Sequence, residues 1–207
     1  MKKTILFALL SAFLFTANTY AGNDIEKTAE KEAKKEAKRL KKEGWQVTPG
    51  SLPLERQLKD MFMKRYDLDE LGMTKWYIGS SQPIGEFYDA ARTQGNMMAR
   101  LNLVEQIQSN LTAITEASVG NKQLTKDEAA SVAQVIQRSK ELVSSKLGRT
   151  VPLVECYRKL ANGNYQLMIQ IGYPSSRALE EAKEAVREQL EQELKELAEK
   201  FDKVKMQ

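Results

Sequence analysis

Ala161-Asn162-Gly163-Asn164 separates two stretches of strand-forming residues, Thr150 to Lys159 and Asn164 to Tyr173. Asn and Gly tolerate the positive φ of a tight connection, so the two stretches are expected to pair as an antiparallel hairpin. The second alternates cleanly. Tyr165, Leu167, Ile169 and Ile171 fall on one face, and Gln166, Met168 and Gln170 on the other. Pro152 removes a backbone donor near the start of the first stretch, which assigns that end to an edge or beyond the ladder. One further run, Lys75-Trp76-Tyr77-Ile78-Gly79, has the aromatic and branched residues of a short strand.

The remaining patterns are helical. From Ile84 to Ser118, Phe87, Ala90, Met97, Leu101, Val104, Leu111 and Ile114 recur at spacings of three, four and seven, with Ile107 broadening the face. This face is expected to be buried, with Ala90, Ala91 and Ala99 letting the helix lie close to a sheet. Gly120-Asn121 breaks the pattern. Thr125 to Glu128 then has the form of a capping box, opening a helix that runs to about Leu147 and buries Ala129, Val132, Ala133, Ile136, Val143 and Leu147. The expected fold class is α+β: a small three-stranded, mostly antiparallel sheet covered by helices on one face, with long helical extensions at both ends.

The N-terminal extension begins after a leader. Met1 to Ala21 has a basic start at Lys2 and Lys3, an apolar run from Thr4 to Phe15 and small residues before Ala21, the layout of a secretory signal peptide. Its removal brings 32 basic residues to 30 against 28 acidic ones, a net charge of +2 in place of +4. That balance gives no reason to expect nucleic acid as a partner, since such binding needs a concentrated basic surface. Asp24 to Glu43 places Ile25, Ala29, Ala33, Ala37 and Leu40 at helical spacing among eight basic and six acidic residues. The pattern fits a solvated arm, a membrane-surface helix or one member of a helical pair, with the alanines burying little. Ser51 to Tyr66 is a second helix, with Ser51 as its cap and Leu54, Leu58, Met61 and Phe62 as its apolar face.

Pro174-Ser175-Ser176 opens the last element, a helix from Arg177 almost to the C-terminus. Leu179, Ala182, Val186, Leu190, Leu194, Leu197, Phe201 and Val204 form a narrow stripe along it. At about 1.5 Å per residue it reaches about 40 Å, so its far part projects from a small core. The stripe is close to a helix-pairing seam, to be filled by the N-terminal helix or by another chain. Leu190, Leu194, Leu197 and Phe201 are the candidate interaction residues. The resulting division is 1–21 signal peptide, 22–74 charged helical extension, 75–174 α+β core and 175–207 C-terminal helix.

The chain holds no histidine and one cysteine, which excludes imidazole-based catalysis, internal disulfides and multi-cysteine metal sites. Cys156 sits within a strand and reads as buried. Asp67 to Gly72 shares acidic positions and a glycine with calcium loops but lacks the terminal glutamate. Gly79, Gly85 and Gly95 are too widely spaced to cradle a phosphate, and Gly79 reads as the end of a strand turning toward the next helix. No cofactor is expected and no catalytic residue is assigned.

Trp76-Tyr77-Ile78-Gly79, the helix carrying Ala90-Ala91-Arg92 and Ala99-Arg100-Leu101, and the hairpin with Tyr157 and Tyr165 together resemble the twenty-kilodalton bacterial envelope lipoprotein family. That fold is similar to the amino-terminal domain of a flagellar ring protein. The resemblance covers about Trp76 to Tyr173, and the whole pattern also looks like secreted proteins of gut-type anaerobic bacteria. It implies an envelope-located, non-catalytic module, sometimes part of larger assemblies. The chain departs from the family in lacking a lipid-accepting cysteine after its leader. The expectation is therefore a periplasmic or secreted interaction or structural protein, partnered by an envelope protein or by itself, with at most peripheral membrane contact. The alternative is a binding protein or histidine-free hydrolase for a small envelope ligand.

Overall fold

A computed structural model describes residues 22–120 and 123–202, with the side chains of the last helix described to residue 195. The leader Met1 to Ala21 lies outside the described residues. Six helices and four strands follow in the order α1 (Gly22–Lys42), α2 (Leu54–Tyr66), β1 (Trp76–Ser81), β2 (Ile84–Gly85), α3 (Tyr88–Gly120), α4 (Lys126–Arg138), α5 (Lys140–Lys146), β3 (Val151–Lys159), β4 (Tyr165–Pro174) and α6 (Ser175–Asp202). The class is α+β.

The hairpin forms as its turn chemistry requires, and β4 becomes the central strand. β3 pairs antiparallel along one side of β4, with Cys156 opposite Met168 and Tyr157 opposite Leu167. On the other side β1 pairs with the C-terminal half of β4, and the two-residue β2 with its N-terminal end. β2 continues the edge that β1 begins, across Gln82-Pro83. The three expected strands are thus present with a fourth short one, and every pairing is antiparallel. Pro152 lies on edge strand β3, where the register shifts between Pro152 and Val154.

Helices cover both faces of the sheet, not one. Leu167, Ile169, Ile171 and Tyr173 of β4 and Tyr77 of β1 face α3, α5 and α6 in the larger core. Leu153, Val154 and Cys156 of β3 face α2, which α1 covers in turn, in a second core, with Met168 and Ile78 packed against it. The N-terminal segment is therefore a structural layer. Ala29, Ala33, Ala37 and Leu40, expected to bury little, are all buried against α2. Alanines lose no rotamer freedom and let the two helix backbones come close. α1 ends in a Schellman motif: Trp45 N–H donates to Leu40 O (3.0 Å), Gly44 N–H donates to Lys41 O (3.2 Å), and Gly44 takes φ 84°. The turn delivers Trp45 to the second core, and Gln46 then pairs with Tyr157 on the outer edge of β3.

Helix α2 starts at Leu54 after Pro53 with no side-chain cap, and the Ser51 hydroxyl is engaged by Thr48 at 2.7 Å. The expected helix from Thr125 keeps its capping box but breaks at the buried Ser139, so two helices stand where one was expected. The Ser139 hydroxyl donates to Ile136 O at 2.8 Å, satisfying itself within the break.

The largest difference concerns α3. Its buried residues are Ala91, Gly95, Ala99, Leu103, Ile107, Leu111 and Thr115, spaced by four, with Val104 and Gln108 beside them. Four residues turn a helix by about 400°, so this stripe drifts about 40° per step and winds round the helix. The drift carries the contact from the sheet, at Ala91 to Ala99, toward the other helices at Ile107 and beyond. Gly79 is not a strand end but the point of closest approach: a Cβ there would sit 2.9 Å from Leu103 Cβ and 3.0 Å from the Ala99 carbonyl carbon. Gly79→Ala is expected to lower stability by about 1–3 kcal/mol through overpacking, while Gly120→Ala, whose Cβ meets nothing within 4 Å, leaves the urea midpoint nearly unchanged.

Candidate interaction surface

Because the buried stripe of α3 winds away, the residues expected to face the core are left outside. Phe87 is 68% exposed, Met97 63% and Leu101 40%, and Ala90 and Met98 are also exposed. At 100° per residue Ala90, Met97, Met98 and Leu101 fall within one sector of the first half of the helix, over a length of about 16 Å, with the exposed Gln94 among them and Phe87 just before the first helical residue. Ile114, also expected in the core, is exposed further along. The sector carries no charge as far as Leu101, and Glu105, paired with Lys140 at 2.7 Å, ends it one turn on. The two arginines of this stretch point elsewhere: Arg92 Nε donates to Glu155 Oε1 at 2.7 Å. Arg100 donates to the Ser144, Leu147 and Gly148 carbonyls and so closes the C-terminus of α5. A helix apolar on two sides, one side bare, has the character of a surface that a partner covers.

The candidate residues on α6 divide. Leu190 is half-buried against the larger core, whereas Leu194 is 65% exposed. The side chains of Leu197 and Phe201 lie outside the described residues. α6 settles through Ala178, Ala182, Ala185 and Val186 onto the larger core, with Arg138–Glu193 and Lys146–Glu188 pairs at 3.4 and 2.8 Å along its flank. The N-terminal helix does not fill its seam: α1 belongs to the second core, across the sheet. Past Leu190 the helix is still held at Glu193 by Arg138 of α4, while Leu194 faces solvent.

A polar cluster lies at the outer edge of β3. The Tyr88 hydroxyl donates to Glu155 Oε1 at 2.9 Å beside the Arg92 bond, and Glu155 N–H donates to Gln57 Oε1 at 2.8 Å. Tyr88 meets Tyr157 and Tyr165 edge-on at centroid distances of 5.4 and 6.0 Å. Burial, then the Glu155 carboxylate, pushes the Tyr88 hydroxyl up to about 12. An open cavity of about 450 Å³ runs from this cluster past Thr48 and Leu52 to Leu153. Its one carboxylate is Glu155, whose Oε1 accepts from both Tyr88 and Arg92, so the cavity holds a single acid and not the pair that the hydrolase alternative requires.

The opposite edge of the sheet is closed as well. Asn102 Oδ1 accepts from Ser80 N–H at 3.1 Å, and Gln106 donates to Ile78 O at 2.9 Å. Amide side chains from α3 thus take the positions an added strand would use. The acidic loop after α2 is self-contained, since Asp69 Oδ1 accepts from the Leu71 and Met73 amides at 2.9 Å each. Among the described residues, no group of three or more Cys, Asp or Glu side chains is placed to hold a metal ion, and no helix is long and apolar enough to cross a membrane.

Cys156 is buried and free, as its strand position implies. Burial, and then the neighbouring Glu155 charge, pushes its thiol from 9.0 up to about 12. The folded state therefore keeps a proton that the unfolded chain releases. This contribution to stability is complete below about pH 9 and is lost as pH rises toward 12. Urea unfolding between pH 8 and 11 is expected to show a falling midpoint that Cys156→Val, apolar and of similar volume, makes shallower.

Sequence reasoning found the apolar residues of this surface but turned them inward, because a single averaged period cannot represent a drifting stripe. The four-residue series from Ala91 to Thr115 is the signal that identifies the true buried face. Compared with known proteins, the chain matches no family model, no curated protein and no solved structure.

Proposed function

We propose that this chain is a non-catalytic interaction module of the cell envelope that binds another protein through the bare apolar sector of α3. The observation carrying this reading is the uncharged face from Phe87 to Leu101, exposed although large and apolar. Its two methionines, Met97 and Met98, are flexible and polarizable, which suits an adaptable contact. The exposed Leu194 of α6 is a second apolar element of the same module. Export through the Met1 to Ala21 leader is part of the proposal, and the lack of a lipid-accepting cysteine favours a soluble product held by its partners.

The experiment is photo-crosslinking in intact cells from a reactive residue placed at position 97 or 101. The expected product is one discrete crosslinked species, with its second component, another envelope protein or a second copy of the chain, identified by mass spectrometry. Met97→Lys with Leu101→Lys is expected to abolish it while changing stability by no more than about 0.5 kcal/mol per site, because both side chains are solvent-facing. Monomer alone at both positions would refute the proposal.

A further inference from the structure

The signs of charge that alternate along α1 in sequence are separated in space. Its buried stripe, Ala29, Ala33, Ala37 and Leu40, faces α2. Glutamates line the flanks of that stripe and are drawn into lateral pairs. Glu26 and Glu30 meet Lys59 of α2 at 2.7 and 3.9 Å, and Glu36 and Glu43 both meet Arg39. What remains on the outer side is mostly lysine: Lys27, Lys31, Lys35, Lys38, Lys41 and Lys42, all exposed, with Asp24 at the N-terminal end the one carboxylate in the same sector and Glu32 beside it toward Arg39. None of the six has a carboxylate within 4.0 Å among the described residues, whereas Lys34, in the same sector, is held by Glu30 at 2.6 Å. At 100° per residue these positions lie within about 120° of the helix circumference, over about 22 Å of its length.

A merely solvated helix gains from opposite charges at i, i+4, and like charges there are unfavourable by similar amounts. This face carries Lys27 with Lys31, Lys31 with Lys35, and Lys38 with Lys42 at that spacing. The repulsion is held in place because α1 is pinned by its alanine stripe and its Schellman turn. An anionic surface laid against the stripe relieves it.

We infer that the lysine face of α1 is a docking surface for an anionic lipid bilayer. Three features favour lipid over nucleic acid. The lysines spread over a band about 120° wide along one helix, which suits a planar charge array. It has no aromatic side chain on which a base could stack. Its one arginine, the group suited to bidentate phosphate contacts, is consumed by Glu36 and Glu43. The attachment is electrostatic and not insertional, because the apolar side of α1 is already covered by α2, and α1 offers no free hydrophobic face to the acyl region. The surface lies on the opposite side of the sheet from α3, so this inference stands independently of the protein-binding proposal.

The test is co-sedimentation of the chain from Gly22 onward, which contains every residue of both cores, with vesicles of equal parts phosphatidylglycerol and phosphatidylcholine. Binding is expected at low salt, absent with phosphatidylcholine alone, and released at about 1 M salt, where the screening length falls to about 3 Å. Each lysine removed is expected to weaken binding about fivefold, so Lys27, Lys31, Lys35 and Lys38 all changed to Gln weaken it several hundredfold. These side chains are exposed and unpaired, and circular dichroism is expected to show the fold retained. A control variant changes Lys126, Arg149, Lys183 and Lys195 to Gln, making the same change in net charge elsewhere, and is expected to keep binding. Equal loss in the control, binding that survives 1 M salt, or retention of a short DNA duplex in place of the vesicles would overturn the inference.

Discussion

β4 is apolar on one side and accepts apolar neighbours on the other, and the fold depends on covering both. Leu167, Ile169, Ile171 and Tyr173 demand the helices that follow β2 and β4. On the reverse face, β3 contributes Leu153, Val154 and Cys156, and among the described residues their second core is closed by the charged segment before the sheet. That demand turns α1 and α2 into a structural layer. Burial of this kind, at about 25 cal/mol per Å² of apolar surface, outweighs the weak helix preferences of so charged a segment. With both faces covered, the edges are the remaining exposure. Gln46, Gln57, Asn102 and Gln106 occupy backbone positions there, leaving little for edge-to-edge pairing.

Helix α3 connects this packing to the proposed function. Gly79 and Ala99 bring it unusually close to β1, and the series of small residues at fourfold spacing lets it lie flat on the sheet before it rolls toward α4, α5 and α6. A helix that rolls presents a changing side to the core. The sector of Phe87, Met97 and Leu101 is left outside because its phase matches neither contact. The bare face is thus a geometric consequence of a drifting interface combined with an apolar sequence on the far side. That combination is the physical basis for reading α3 as a binding surface. The lysine face of α1 lies on the other side of the sheet, so the two proposed contacts do not compete for one surface.

Much of the architecture was readable from local chemistry. The Asn-Gly turn, the alternation of β4 and the Thr125–Glu128 capping box each depend on neighbours within a few positions. The structure contains them where that chemistry puts them. Of the three alanines read as a close contact on α3, Ala91 and Ala99 are buried while Ala90 is exposed. The buried state of Cys156 was legible for the same reason, from its place in a strand. The phase of α3 and the role of α1 were not. Alanine is compatible with a solvated arm or with a tight helix pair, and only the presence of Leu54, Leu58 and Met61 opposite decides between them. The break at Ser139 is likewise set by packing, since nothing beside it in sequence interrupts a helix.

By itself the sequence determined the element types, the antiparallel hairpin, the α+β class and the absence of imidazole chemistry, because each follows from residue identity or short-range periodicity. Tertiary structure decided which faces are inside. Burial is a relation between segments distant in the chain, as α2 with β3 or Gly79 with Ala99, and a local period cannot encode it. The same packing sorted the mixed charges of α1 into a paired flank and a lysine-rich face, and it left the apolar sector of α3 exposed. Both surfaces on which the functional proposals rest are therefore products of long-range packing acting on residues that the sequence had already supplied.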